Sequence, residues 1–293
     1  MTVDGDLVLF QPADSAPDSA RRWIPTEYAR GPWDPSHCHG GPTSALLARA
    51  AERTREADDP VDWQIARITI ELVRGVPVGR PLDLVTEIER PGRKVSLVAA
   101  RLLDDGTEVA RMRSLRIRRQ DMDLPEHPRA DDELRGEPGA GRAVTSEWEF
   151  DGGENLVAFH THGCEHRFVE GGWDEFGPSA LWIRLAVAVV PGETPTGVQR
   201  AAAAADFGNG VSGAVSADDF TYINPDLTMH LARPPVGEWI GMVTHSVYGS
   251  ARESTGAGYA ESALYDGDGR LGRSVQSLIV QPARASRRTQ AGK

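Results

Sequence analysis

The chain has 293 residues, of which 40% are hydrophobic and 26% are charged, and its formal net charge is −11. This composition is ordinary for a globular protein, and the length allows one large domain or two small ones. The acidic charge argues against non-specific binding to nucleic acid or to an anionic membrane surface, since both require a basic surface. A phosphorylated small ligand is not excluded, because charges are screened over ~10 Å and a few local arginines suffice.

The N-terminus and the cysteines indicate the compartment. Residues 1–6 are acidic and contain no apolar core of the kind that signal peptides have. No apolar run reaches the ~18 residues that a membrane-spanning helix needs. Cys38 and Cys164 match neither a disulfide framework nor a zinc motif, which favours two free thiols in a reducing compartment. We therefore expect a cytoplasmic protein.

Residues 1–118 predict one helix followed by a set of antiparallel strands. A short strand at Leu7–Phe10 lies in the entry segment, and Gly40-Gly41-Pro42 then opens an alanine-rich helix that continues to Arg53. The turn Asp104-Asp105-Gly106 is a hairpin signal. Alternating and β-branched runs predict four strands, at Ile65–Val73, Pro81–Glu89, Val95–Leu103 and Val109–Arg118.

Residues 119–148 are polar and rich in Pro and Gly, and they are predicted to be a linker. Residues 149–281 form a second unit, with an alanine-rich helix at Thr196–Ala205 that is ended by Gly208. Residues 282–293 are basic and polar and are predicted to be a disordered tail. The strands predicted in the second unit are Phe159–Glu170, Ala180–Val190, Phe220–Tyr222, Leu227–Ala232, Trp239–Tyr248, Gly258–Tyr265 and Leu271–Val280.

The second unit repeats the first. Pro77–Thr86 lies over Pro235–Thr244 without a gap, at a constant offset of 158 residues, and five of the ten positions are identical. A period near half the chain length indicates two copies of one domain-sized unit. The predicted fold class is therefore α+β, with two tandem units that each wrap an antiparallel sheet around a helix.

This architecture resembles the double hotdog fold, and the specific resemblance is to the TesB-like (acyl-CoA thioesterase II) family. It covers roughly residues 25–280 and depends on the order and spacing of several short motifs. These are His39-Gly40-Gly41, Leu72-Val73-Arg74-Gly75, Ala205-Asp206-Phe207, Asn224–Pro234 and Ser274-Val275-Gln276. The resemblance implies hydrolysis of an acyl-CoA thioester to free acid and CoA, without a cofactor or a metal. It also implies a homodimer or larger homo-oligomer, since the open sheet edges of this fold commonly pair.

The family orients a water with an Asp, a Ser or Thr, and a Gln from the second copy. Asp206 and Gln276 match the first and last of these positions. Asn224 stands where the family often has Thr, and Thr228 lies one strand period away, so either residue is a candidate for the middle position. A thioester carbonyl is already electrophilic, so hydrolysis needs an activated water and a donor for the oxyanion. Asp206 is expected to accept the proton, and the neutral groups are expected to hold the water.

The first copy is expected to contribute to substrate binding. The helix start His39-Gly40-Gly41 is predicted to line the thioester pocket, because glycine permits close approach of the backbone. Arg93 and Lys94 in one hairpin, and Arg252 in the matching hairpin, are candidates for the phosphates of CoA, which arginine binds bidentately.

Two other functions remain open from the sequence. One is a non-catalytic protein that binds acyl thioesters, which Asn224 at the hydroxyl position favours. The other is a hotdog hydratase acting on enoyl thioesters, whose chemistry usually needs a His with an Asp on the hotdog helix. The helix ending at Ala205 has no His, which counts against the hydratase. A serine hydrolase and a dinucleotide enzyme are disfavoured, because neither Gly-x-Ser-x-Gly nor a strand-linked Gly-x-Gly-x-x-Gly is present.

Overall fold

The computed structural model describes residues 4–13, 21–55, 59–125, 134, 136–146, 156–250 and 253–283. In the first half of the chain the elements are β1 (Asp4–Val8), β2 (Phe10–Pro12), β3 (Arg22–Pro25), α1 (Gly40–Arg53), β4 (Trp63–Leu72), β5 (Leu82–Arg90), β6 (Val95–Asp104) and β7 (Thr107–Arg118). In the second half they are β8 (Arg142–Ala143), β9 (Cys164–Glu170), β10 (Ser179–Leu185), β11 (Val187–Ala188), α2 (Gly197–Ala205), α3 (Gly208–Val211), β12 (Phe220–Ile223), β13 (Asp226–Leu231), β14 (Trp239–Val247), β15 (Ala257–Asp266) and β16 (Gly269–Pro282). The helices and the long strands predicted from the sequence are thus present.

One antiparallel sheet contains fourteen of the strands that the described residues form. Its order is β2-β3-β5-β6-β7-β4-β13-β16-β15-β14-β10-β9-β8, and β12 pairs with β16. The inner eight strands read β5-β6-β7-β4 and then β13-β16-β15-β14, so the two halves are arranged symmetrically about the β4–β13 seam. This symmetry is the three-dimensional form of the sequence repeat.

The repeated turns adopt the same backbone conformation. Gly79 precedes β5 and Gly237 precedes β14, and both have φ of +74°. A positive φ of this size favours glycine, which explains why the Pro-Val-Gly sequence is present in both copies. At the seam itself, Thr69 of β4 pairs with Thr228 of β13, the residue that the repeat aligns with it.

The two long helices pack against each other in antiparallel orientation and are buried by the sheet. At one end, Gly41 of α1 approaches the carbonyl oxygen of Ala203, which a Cβ on Gly41 would meet at 2.7 Å. At the other end, Gln199 of α2 donates to the Glu52 carboxylate at 2.8 Å. Glycine and alanine at the contact therefore allow the helix axes to approach closely. The start of α1 consequently lies beside the end of α2.

The strand predicted at Phe159–Glu170 was wrong in its first part. Phe159–Gly163 form a π-helical turn, in which the Gly163 N–H donates to the Ala158 carbonyl, and only Cys164–Glu170 are a strand. Glycine allows the turn to close, because a Cβ at Gly163 would lie 2.6 Å from the Phe159 ring. The turn points His160 inward, where it is 4% exposed.

The segment predicted as a linker is partly packed against the second unit. Arg142 and Ala143 form β8 and pair with β9. Leu134 is buried in a small cluster with Trp182 and Tyr265. The remaining boundaries of the predicted units stay a prediction, and all but two residues of the predicted tail lie outside the described residues. No helix in the described part of the chain is long and apolar enough to cross a membrane.

Candidate active site

A buried carboxylate lies where the two helices meet. Asp206 caps the C-terminal end of α2 and is 3% exposed. One of its oxygens, Oδ1, accepts a hydrogen bond from Asn224 Nδ2 at 2.7 Å and lies 3.4 Å from Gln276 Nε2. The other, Oδ2, is 2.7 Å from His39 Nδ1. Asp206, Asn224, Gln276 and His39 therefore form one cluster, although they come from four separate parts of the chain.

The position of Asp206 is unfavourable for its own helix but favourable for the neighbouring one. A carboxylate at a helix C-terminus opposes the helix dipole, whereas one at an N-terminus is stabilised by it. Because α1 and α2 are antiparallel, Asp206 lies beside Gly40, the first residue of α1. A Cβ on Gly40 would lie only 2.5 Å from Asp206 Oδ1 and 2.7 Å from Oδ2. Gly40 thus gives the carboxylate room at the N-terminus of α1.

Gln276 is held in one orientation by hydrogen bonds at both ends of its amide. Its Nε2 donates to the Asp206 backbone carbonyl at 3.1 Å, and its Oε1 accepts from the Asn209 N–H at 3.2 Å. The surrounding part of β16 reverses the usual pattern of a surface strand. Ser274 and Gln276 are buried, whereas Val275 and Ile279 are exposed. Polar residues on the inner face of a strand indicate a site rather than a hydrophobic core.

The Nδ1 atom of His39 contacts both the Asp206 carboxylate and the first turn of α1. Its Nδ1 is 2.7 Å from the Asp206 carboxylate and 3.0 Å from the Gly41 N–H, and a neutral imidazole nitrogen either donates or accepts. A hydrogen bond to a charged acceptor is the stronger of the two. A proton on Nδ1 would be directed at Asp206 and would leave Nε2 unprotonated, whereas a proton on Nε2 would keep Nδ1 as the acceptor for the Gly41 N–H that caps α1.

Thr228 lies outside this cluster. Its Oγ1 donates to Thr69 Oγ1 at 3.3 Å across the β4–β13 seam. The pair joins equivalent residues of the two copies, which indicates a structural role for Thr228. Of the two sequence candidates for the middle polar group, the structure thus brings Asn224 to Asp206 and leaves Thr228 at the seam.

Two of the three predicted phosphate-binding residues are not brought to the cluster. Arg93 and Lys94 are exposed in the turn between β5 and β6 and do not line the cavity next to Asp206. Arg252 lies outside the described residues. Arg74, which the sequence reasoning did not single out as a phosphate ligand, does line this cavity and hydrogen-bonds the Glu108 carbonyl.

A cavity of about 1030 Å³ opens beside Asp206. It is bordered by the start of α1, by the segment after α2 and by aromatic side chains. Phe207 connects the polar cluster to the aromatic wall, since its ring lies 4.8 Å from the His39 ring and 6.2 Å from Trp173, centroid to centroid. The aromatic residues that line the cavity are Trp33, Trp173, Phe176, Phe207 and Tyr222. The cavity is large enough for a medium-sized organic ligand.

Two buried histidines near the cavity remain neutral at ordinary pH. Burial, together with the neighbouring His39, His166 and His162, lowers the pKa of His160 to about 3. Burial and His39 likewise lower the pKa of His166 to about 3, against a small opposite effect of Glu165. In an unfolded chain both would titrate near 6.5.

This difference predicts a loss of stability in acid. Below about pH 6.5 the unfolded chain takes up protons that the folded protein does not bind, so the free energy of unfolding falls as the pH decreases. At pH 5 the expected loss is about 2 kcal/mol for each histidine. Urea unfolding at pH 7 and pH 5 measures it. His166→Phe should remove about half of the loss and His230→Asn, an exposed control, none; an equal pH dependence in all three proteins would contradict the assignment.

The sequence reasoning missed three parts of this site. It placed His39 in the pocket but did not connect it with Asp206, because the link depends on how α1 docks against α2. It did not place His160 beside the cavity, and it assigned no role to Asn209. Within the described residues no group of three or more His, Cys, Asp or Glu side chains is arranged to hold a metal ion.

The symmetric sheet around two antiparallel helices, with a polar cluster at their junction, defines a double hotdog protein of the α+β class. Sequence profiles of acyl-CoA thioesterases match both halves, the N-terminal domain over residues 29–117 and the C-terminal domain over residues 125–280. The chain therefore belongs to the acyl-CoA thioesterase family, whose members are thioester hydrolases.

Solved structures show the same fold. A candidate thioesterase from Novosphingobium aromaticivorans superposes with a TM-score of 0.66 at 19% identity, covering 92% of this chain and 98% of that one. A candidate thioesterase II from Thermobifida fusca gives 0.65 at 15% identity over 96% and 98%. The acyl-CoA thioesterase II TesB2 from Mycobacterium marinum gives 0.61 at 12% identity over 97% and 99%. A search of curated proteins found no match.

Proposed function

We propose that this protein hydrolyses an acyl-CoA thioester to free acid and CoA at the Asp206 cluster. The observation that carries the proposal is the buried Asp206 carboxylate, bonded to His39, Asn224 and Gln276 at the wall of a large cavity. The family membership of the chain supports the reaction class. The cavity volume supports an acyl group with part of the pantetheine arm inside it.

The reaction needs a base, and His39 with Asp206 provides one. Asp206 holds the Nδ1 proton of His39, so that Nε2 accepts a proton from a water as its oxygen bonds to the thioester carbon. The same Nε2 then gives the proton to the departing sulfur as the carbon–sulfur bond breaks, which yields acid and thiol. This differs from direct proton transfer to Asp206, and the short His39–Asp206 contact supports it.

Asn224 and Gln276 act as neutral groups that orient the carboxylate and the water. Asn224 Nδ2 supplies the donor that a Thr hydroxyl would otherwise supply, so Asn at this position does not by itself argue for a non-catalytic protein. The N–H groups at the start of α1, beginning with Gly40, stabilise the oxyanion together with the helix dipole. Arg74 replaces Arg93 and Lys94 as our candidate for a CoA phosphate, since it lines the cavity, and Arg252 stays a prediction.

A hydratase acting on enoyl thioesters remains the second candidate, and one observation favours it. The sequence argument against it was that the helix ending at Ala205 lacks a His. In the fold, His39 reaches Asp206 from the other helix, so a His–Asp pair is present. Thiol release distinguishes hydrolysis from hydration, which would instead remove the absorbance of the conjugated enoyl group.

The test is thiol release from short-, medium- and long-chain acyl-CoAs, with an enoyl-CoA included. We expect hydrolysis of some chain length and a loss of about 10²-fold in Asn224→Leu, which deletes the donor to Asp206. Asn224→Thr should retain most activity, and Thr228→Val should remain near the native rate because Thr228 bonds only at the seam. Hydrolysis that survives Asn224→Leu but fails in Thr228→Val would show that Thr228, and not Asn224, is the middle polar group.

Homodimer formation stays a prediction, checked by the mass in solution.

A further inference from the structure

Buried hydroxyl groups lie beneath the segment that follows Asp206. Thr244 on β14, Ser262 on β15 and Ser212 at the end of α3 are each at most 2% exposed. A buried hydroxyl costs free energy unless it is hydrogen-bonded, and in native proteins such groups are nearly always paired. These three residues take no part in the proposed proton transfers, so their hydrogen bonds indicate what they do.

A first chain of hydroxyl groups ends on the carbonyl oxygen of Gly208. Ser212 Oγ donates to this oxygen at 2.7 Å, and Ser246 Oγ of β14 lies 2.8 Å from Ser212 Oγ. Because Ser212 has one hydroxyl hydrogen, Ser246 is the donor in that pair. The start of α3 is thereby tied to β14.

A second chain of hydroxyl groups reaches the same carbonyl from the sheet. Ser262 Oγ donates to Thr244 Oγ1 at 2.9 Å. Thr244 Oγ1 lies 3.3 Å from the Gly208 carbonyl oxygen and 3.1 Å from that of Glu261, so its single hydrogen has both acceptors within reach. A Cβ on Gly208 would lie 3.1 Å from Ser262 Oγ and 2.8 Å from Gln276 Oε1. Gly208 therefore lies directly against these hydroxyl groups and against the Gln276 amide.

The Gly208 carbonyl controls a hydrogen bond of the site, because it shares one peptide group with the Asn209 N–H. A peptide group is planar and trans, so its C=O and N–H point in opposite directions and cannot turn independently. The Asn209 N–H donates to Gln276 Oε1 at 3.2 Å, and Gln276 Nε2 donates to the Asp206 backbone carbonyl at 3.1 Å. Hydrogen bonds that fix the carbonyl end of the peptide group therefore fix the Gln276 amide at its other end.

The first copy of the repeat shows that packing does not require a hydroxyl at Ser262. Thr244 pairs with Ser262 in the second copy, and its counterpart Thr86 pairs with Ala100 in the first. Ala100 is 1% exposed, so the same position of the sheet is buried with a methyl group in place of a hydroxyl. The hydroxyl chain thus belongs to the copy that carries Asp206 and Gln276.

We propose that Thr244 and Ser212 are positioning residues, which hold the Gly208–Asn209 peptide group and through it keep the Gln276 amide directed at Asp206. The inference rests on the proposed function, in which Gln276 orients the water, and it adds two residues that act without touching substrate. When these hydrogen bonds are lost, the peptide group tilts and Gln276 loses one of its two anchors. The water is then held less often in the reactive orientation, while the cavity keeps its shape.

The test measures kcat and KM for the best acyl-CoA of the panel. Thr244→Val keeps the size of the side chain and deletes its hydroxyl, so kcat should fall about tenfold while KM stays within about twofold of native. Ser212→Ala, which frees the same carbonyl from its other donor, should have an effect of similar size. Thr244→Ser should recover most of the rate, whereas a packing defect would persist because the methyl group is missing.

Ser96→Ala is the control for the loss of a buried, hydrogen-bonded hydroxyl. Ser96 lies on β6 in the first copy, is 2% exposed and accepts from Arg116 at 2.9 Å. This variant should keep native kcat even where its thermal unfolding midpoint falls as far as that of Thr244→Val. An equal loss of kcat in the two variants would mean that destabilisation alone lowers the rate, which overturns the inference.

A double-mutant cycle with Gln276→Met shows whether Thr244 acts through the Gln276 amide. Methionine has a similar length and lacks the amide, so Thr244→Val should lower kcat little further in the Gln276→Met protein. Losses that multiply in the double variant, or native kcat in Thr244→Val, overturn the inference and leave the hydrolase proposal intact.

If the native protein hydrolyses no acyl-CoA, the side-chain amide signal of Gln276 in a nitrogen–proton NMR spectrum decides the inference alone. Loss of this signal in Gln276→Met identifies it. Thr244→Val should shift the signal and Ser96→Ala should leave it in place, which supports the inference. An unchanged signal in Thr244→Val refutes it.

Discussion

Asp206→Asn is expected to lower kcat for acyl-CoA hydrolysis about 10³-fold while the protein stays folded. Asparagine has the size of aspartate, so the packing against Asn224 and Gln276 changes little. It lacks the negative charge that holds the Nδ1 proton of His39 and stabilises the imidazolium formed when water is deprotonated. In the variant, His39 would adopt the tautomer with its proton on Nε2. This nitrogen would then offer an N–H to the water instead of accepting its proton.

The control for this variant is Asp268→Asn, which removes one charge from the exposed turn between β15 and β16. Asp268→Asn and Asp206→Asn have the same net charge. A difference between their rates therefore comes from the position of the change and not from the overall charge. Thermal unfolding should show that both variants are folded. A rate for Asp206→Asn within tenfold of native would remove Asp206 from the mechanism.

Gly40→Ala is expected to lower kcat about 10²-fold through a single added methyl group. The new Cβ would lie 2.5 Å and 2.7 Å from the two Asp206 oxygens, closer than any real contact of this kind. The carboxylate cannot turn away without losing contacts, because Asn224 and Gln276 bind its Oδ1 and His39 contacts its Oδ2. Either Asp206 or the start of α1 must move, and a displacement of this size disrupts a catalytic arrangement.

Gly267→Ala provides the comparison for the added methyl group. Gly267 lies in the turn between β15 and β16, where the sole described atom that its Cβ would meet is Pro138 Cγ, at the ordinary distance of 3.5 Å. Both variants should be assayed for kcat and for the midpoint of thermal unfolding. Native kcat in Gly40→Ala would show that the close contact with Asp206 has no role in the reaction.

The fold was predictable because its signals are local or repeated. The alternating runs at β4 to β7 and the alanine-rich helices follow from residue periodicity, and the Pro-Val-Gly repeat indicated two copies. The π-helical turn at Phe159–Gly163 escaped prediction, because the apolar and aromatic residues there also suit a strand. It forms through a close contact between Gly163 and the Phe159 ring, which no local pattern reveals.

The site was predictable only in part. Alternation in β16 shows that Gln276 shares a face with Ser274, but it does not show that this face is the inner one. The choice between Asn224 and Thr228 was open because both fit the strand period, and the fold separates them by placing Thr228 opposite Thr69. The pairing of His39 with Asp206 arises from the antiparallel docking of two helices, so no spacing in the sequence encodes it.

The most direct test of the central claim, that His39 and Asp206 act as one unit, is a double-mutant cycle on thiol release. The native protein, Asp206→Asn, His39→Gln and the double variant are compared with the best acyl-CoA of the panel. Groups that act as a unit are strongly non-additive, so each single variant should lose nearly as much kcat as the double variant. Losses that multiply in the double variant, or a His39→Gln protein with near-native kcat, would contradict the account.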